Sequence, residues 1–154
     1  MYKYITILIL FTSILYSCAN RSIDYDKKNS TKSVDYELLT YGETGSGIVT
    51  DQKVYHNDSS FELAWKQVHA RMSPIPAIPT IDFNKERVIF LDFGEHNYGG
   101  FVYNIEDISL KENLAIVKVI EHSQDEEMMR MAVMTRPFMF IKINKTNVNQ
   151  VQVK

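Results

Sequence analysis

The chain is poor in the residues that build covalent and metal frameworks. A single cysteine, Cys18, stands among 154 residues, which excludes an internal disulfide, a cysteine-based structural zinc site and a CxxC redox centre together. Six glycines and four prolines are too few for a fibrous or low-complexity chain. Neither charge sign is in excess, since 17 basic residues against 19 acidic ones give a formal net charge of -2. Phosphate recognition needs a clustered basic surface, so nucleic acid is excluded as a partner class. What is present is apolar: 45% of the residues are hydrophobic and 12% aromatic, enough for one packed domain and too little for two comfortable ones.

The apolar stretch Ile5 to Leu15 follows Lys3, with no acidic residue before Cys18. It is too short to span a bilayer and matches the hydrophobic region of a secretory signal. Leu15-Tyr16-Ser17-Cys18 resembles the lipobox of bacterial lipoproteins, in which the cysteine thiol is acylated and becomes the mature N-terminus. The expectation is therefore a signal peptide over residues 1–17 and lipidation, palmitate included, at Cys18. Residues 18–35, polar and charged with almost no apolar content, read as a disordered tether. Acyl chains anchor such a protein without a transmembrane helix, on the periplasmic or cell-surface face of a bacterial envelope.

The folded domain is expected over 36–154. Tyr36 to Tyr41 and Lys53 to His56 read as strands. Ser59, with Glu62 three residues on, makes a capping box that opens a helix, and Phe61, Ala64, Trp65, Val68 and Met72 form its apolar stripe. The prolines of Ser73 to Pro79 end it. Arg87 to Phe93 is a near-continuous apolar run, as in a central strand covered on both faces. Alternation from Phe101, and β-branched and aromatic enrichment at Leu114 to Ile120 and Phe138 to Ile143, give three more strands. The fold class is α+β, mainly β: a compact, largely antiparallel sheet or sandwich with one packed amphipathic helix.

Candidate chemistry is thin. Gly42 to Gly47 lacks the Lys-Ser or Lys-Thr of a phosphate loop and reads as a tight turn needing positive φ. His56, His69, His96 and His122 fall in no two-His-plus-carboxylate spacing, and solvated strand ends are the expectation for all four. Met128, Met129, Met131 and Met134 suit an adaptable contact surface better than a soft-metal site. Asp82 is placed to cap nearby backbone donors, Phe83 to anchor that segment, and Trp65 to pack helix against sheet. No catalytic residue, metal or cofactor is expected. Loops on a rigid sheet are where binding resides, which singles out Glu95 to Phe101 with its glycine pair.

Ser46-Gly47-Ile48, the Trp65 helix, Pro79 to Phe83, Val88-Ile89 running to Gly94, Gly99-Gly100-Phe101, and Thr135-Arg136-Pro137-Phe138 occur in an order that resembles the C-terminal domain of the PrcB family, from about Tyr36 to Lys145. Its members are typically bacterial exported lipoproteins or surface proteins, and its namesake is a lipoprotein subunit that accompanies a surface protease. The resemblance implies no catalytic residues. It implies an accessory module that binds a partner protein, such as a protease; the loops at 95–101 and 135–138 supply Asn97, Tyr98, Gly99, Gly100, Arg136 and Pro137 as the candidate contact residues. Oligomeric state is not implied either way. A second reading is a protease inhibitor, because the loops at 95–101 and 135–138 resemble two of the three inserting loops of chagasin-type proteins. The glycine-rich middle loop is missing, since Ser123 to Met134 contains no glycine.

Overall fold

Two segments, Arg87–Asp92 and Phe138–Ile143, are apolar on both faces, a pattern that only a strand covered on two sides satisfies. The computed structural model describes residues 33–123 and 132–154, and places these two segments side by side at the centre of a sheet. In chain order the elements are β1 (Tyr36–Gly42), β2 (Lys53–Tyr55), α1 (Asp58–Val68), β3 (Arg87–Asp92), β4 (Phe101–Lys111), β5 (Leu114–Ser123), β6 (Phe138–Ile143) and β7 (Gln150–Val153). One sheet has the order β1-β6-β3-β2, all antiparallel, and the other the order β4-β5-β7. The signal segment, Cys18, the tether up to residue 32, and Met128, Met129 and Met131 lie outside the described residues.

Strand alternation divides the core into two layers. Ile89, Leu91, Met139, Ile141 and Ile143 face the second sheet and meet Phe101, Tyr103, Ile108, Ala115 and Val117 there. Val88, Phe90, Phe138 and Phe140 face the other way and receive Phe61, Ala64, Trp65 and Val68 of α1. The architecture is thus a sandwich of two sheets with the helix as a third layer, α+β and mainly β. One pairing departs from the antiparallel rule: β7 runs parallel to β5, from Leu114↔Gln150 to Val117↔Val153. The link from β6 crosses between the sheets, with Val148 fully buried on the way.

Two boundaries move relative to the sequence. The helix cap is Asn57, not Ser59: its side-chain oxygen accepts the Ser60 N–H at 2.9 Å. Tyr55, buried at the end of β2 with its ring 6.4 Å from Phe61, fixes where the helix must begin, and Glu62 pairs with Lys66 instead. The domain also takes in Ser33–Asp35, assigned above to the tether. Val34 is buried, and its N–H donates to the Ile108 carbonyl at 2.8 Å, so this stretch lies along the edge of β4. Trp65 packs α1 on the sheet as expected and donates its indole N–H to the Pro76 carbonyl.

His69, at the C-cap of α1, is in the core and not at a solvated strand end. Its Nδ1–H donates to the Trp65 carbonyl at 2.8 Å, and its Nε2 has no partner among the described residues. Burial lowers its pKa below the ordinary 6.5, against a smaller opposing effect of the Trp65 carbonyl. The unfolded chain therefore takes up this proton first, and stability declines as pH falls from 6.5 toward the depressed folded value. Urea denaturation at pH 7.5 and at successively lower pH is expected to show this loss, and His69→Leu to reduce it.

Candidate functional site

Strand directions gather the loops at one end of the sandwich. β1 and β3 end there, β4 and β6 begin there, and the C-terminal end of α1 joins them where Ser46 donates its N–H to the Val68 carbonyl at 3.1 Å. Three segments, Glu43–Gly47, Glu95–Gly100 and the approach to β6, are tied by backbone bonds. Arg136 donates its N–H to the Glu43 carbonyl and accepts the Gly45 N–H, while His96 and Thr135 exchange both backbone bonds at 2.9 Å. Glycine is required at the first junction: a Cβ on Gly42 would sit 2.5 Å from Cε1 of the buried Phe138 ring.

The pin is an ion pair. Asp92 ends β3, and Arg136 meets it with both prongs, Nε to Oδ1 at 2.9 Å and Nη2 to Oδ2 at 2.7 Å. The side chains are only 6% and 18% exposed, so screening is weak and the fork is held in one orientation. Hydrogen bonding to Asp92 raises the guanidinium pKa, with burial opposing. Gln52, just before β2, secures the same point, giving its amide N–H to the Asp92 carbonyl and taking the Asp92 N–H.

Behind the loops lies an aromatic cluster. Phe93 and Tyr103 stack at 4.0 Å between centroids, His96 lies 3.9 Å from Phe101, and Tyr98 lies 4.9 Å from Phe101. Tyr103 donates its hydroxyl hydrogen to Glu121 at 3.1 Å, which leaves its oxygen to accept from His96 Nε2 at 3.1 Å. Burial first, then Glu121, raises the Tyr103 pKa, so the phenol stays protonated. Tyr41 bridges the sheets by donating to the Phe101 carbonyl at 2.6 Å.

Between the pinned loops is a pocket of about 140 Å³ lined by Gly45, Ser46, Gly47, Arg71, Glu95 and Arg136, with Met134 at its lip. Met134 is 66% exposed, and Val133 and Ile48 are exposed as well. Two wider depressions, one between β2 and α1 and one between β2 and β7, each hold Lys53 as their only cation among the described residues.

The six sequence-predicted contact residues all fall in this loop cluster, but unequally. Asn97 is exposed and Tyr98 half-buried, its carbonyl accepting the Thr135 hydroxyl at 3.0 Å. Gly100 has φ +91°, and a Cβ on Gly99 would press Val133 at 3.3 Å. Arg136 and Pro137 are turned inward, the Pro137 carbonyl accepting the Phe93 N–H. The sequence reading missed Arg71, Glu95 as a pocket wall, and Asp92. Asp92 carried a signal, because an acid ending a buried strand needs a cationic partner; Arg71 carried none. Among the described residues no three His, Cys, Asp or Glu side chains converge as metal ligands, and no helix is long and apolar enough to cross a membrane. Comparison with protein-family models, curated proteins and solved structures finds no match.

Proposed function

We propose that this chain is a non-catalytic, lipid-anchored envelope protein that binds a partner protein through the loop end of its sandwich, stabilising or assembling a complex such as that of a protease. The observation that carries it is the construction of that end. Three loops are fixed by backbone pairing and the buried Arg136–Asp92 pair, yet present the exposed side chains Ile48, Asn97, Val133 and Met134. Rigid loops carrying exposed apolar residues lose little conformational entropy on association, the condition for a binding surface. The anchor rests on the lipobox-like sequence at Cys18.

The inhibitor alternative has one observation in its favour, the adjacency of the 95–101 and 135–138 segments through His96 and Thr135. Against it, Phe101, Pro137 and Phe138 are buried, so neither segment projects as an inserting wedge.

Full-length chain extracted from native envelopes is expected to partition into detergent and to co-purify with a discrete protein. Cys18→Ala should lose the partitioning, and Asn97→Asp with Met134→Glu should lose the protein while keeping the fold. Detergent partitioning by Cys18→Ala refutes the anchor, and unchanged co-purification by the loop variant refutes the surface.

A further inference from the structure

The pocket between the pinned loops has the chemistry of a receptor for one negatively charged side chain. Arg136 spends Nε and Nη2 on Asp92, which fixes its plane and leaves Nη1 as a preoriented donor edge. The group nearest that edge is Glu95, whose oxygen stands 3.8 Å from Nη1 on a side chain 63% exposed. That distance is beyond a hydrogen bond, so Glu95 is a loosely held internal carboxylate that an incoming one can displace. Arg71 forms a second wall, exposed and without an ion pair among the described residues.

The remaining wall supplies small donors. The Ser46 oxygen accepts the Ile48 N–H at 3.2 Å, leaving its hydroxyl hydrogen to give. Gly47, at φ +76°, leaves this wall bare, since a Cβ there would stand 3.9 Å from Arg136 Cδ. Charge and size narrow the ligand. With Glu95 displaced, two arginines against Asp92 leave one net positive charge, which suits a monoanion rather than a dianionic phosphate. A volume near 140 Å³ is well below the roughly 300 Å³ at which sites for whole drug-sized ligands begin, so the pocket is matched to one side chain and not to a drug-sized ligand. Exposed Ile48, Val133 and Met134 at the lip offer apolar contact to the residues flanking that side chain.

We propose that this pocket binds the carboxylate of a glutamate or aspartate carried by an apolar, extended segment of the partner protein, an inference that rests on the partner-binding reading above. Glu95 occupies the position from which that carboxylate displaces it.

The test is an amide-resolved NMR titration of the full ¹⁵N-labelled chain in detergent with N-acetyl-Leu-Glu-Leu-amide, its Gln counterpart and inorganic phosphate. Saturable shifts at Ser46, Gly47 and Arg136 are expected with the Glu peptide and not with the Gln peptide. Arg71→Gln, at an exposed position, should weaken binding about tenfold, the loss expected for one charge-assisted contact. Glu95→Gln should tighten it, which a merely structural role for Glu95 does not explain. Equal shifts with both peptides, undiminished binding by Arg71→Gln, or phosphate saturating the same amides at lower concentration would overturn the proposal. Co-purification of a partner that survives in Arg71→Gln overturns the pocket assignment and leaves the partner-binding surface standing. Glu-peptide binding with no co-purified protein overturns the surface instead.

Discussion

Phe140→Ala is expected to lower stability by about 3–5 kcal/mol, the range for removing a large aromatic from a core that cannot close over the gap. Phe140 is fully buried at the middle of the central strand, with the rings of Phe90, Trp65, Phe61 and Tyr55 at 4.8, 5.3, 5.9 and 6.3 Å. β6 is flanked by β1 and β3, so the backbone beneath cannot shift inward without breaking two ladders. Domains of this size are stable by about 5–15 kcal/mol, so the loss is a large fraction of the total. Urea denaturation with an unchanged slope is the measurement. A loss below about 1 kcal/mol would mean that the helix-facing layer is not the packed core described.

Asp92→Ala is expected to cost about 3 kcal/mol, the lower part of the range for orphaning one member of a buried ion pair, because Arg136 can recover some hydration at its partly exposed side. Its larger effect is on the loops. Without the carboxylate, the Arg136 fork loses its orientation and the bonds from Glu43 and Gly45 lose their fixed partner. Far-ultraviolet circular dichroism at a temperature where the variant remains folded should be native, while co-purification of the partner falls away. Asp92→Asn, which keeps shape and hydrogen-bonding capacity but not charge, should lie between the two. A variant that is destabilised yet retains its partner would separate the pin from the surface.

The fold class was readable because the strands carry their environment in their pattern. Val88–Leu91 and Phe138–Ile141 are apolar runs, and both strands that hold them prove to be central. Phe61, Ala64, Trp65 and Val68 repeat at helical spacing, and all four are buried against the sheet. β7 escaped because Gln150–Val153 is four residues of half-apolar alternation whose partner, β5, is parallel and distant in sequence. Val34 escaped for a related reason: a lone apolar residue in a polar stretch gives no periodicity, and only the edge of β4 makes it core.

The candidate site was legible as loops and not as chemistry. Glycines at 99 and 100 marked one loop, and the Thr135 to Phe138 segment marked another, but their pairing through His96 and Thr135 is a tertiary fact. Arg136 illustrates the limit. As a sequence feature it is a surface cation, whereas in the fold most of its donors face inward and only one edge faces the pocket. Arg71, three residues past the end of α1, has no pattern that distinguishes it from any exposed arginine; its meaning comes from the loop that docks against the same helix end.

Site-specific photocrosslinking in native envelopes tests the central claim most directly. A crosslinking residue at Met134 or Asn97, on the loop end, should give a discrete adduct with another protein, and that adduct should vanish in Asp92→Ala. The same residue at Glu112, in the β4–β5 turn at the opposite end of the sandwich, should give none. An adduct from Glu112 with none from Met134 or Asn97 would contradict the account, because it would place the partner at the end that the loops do not form.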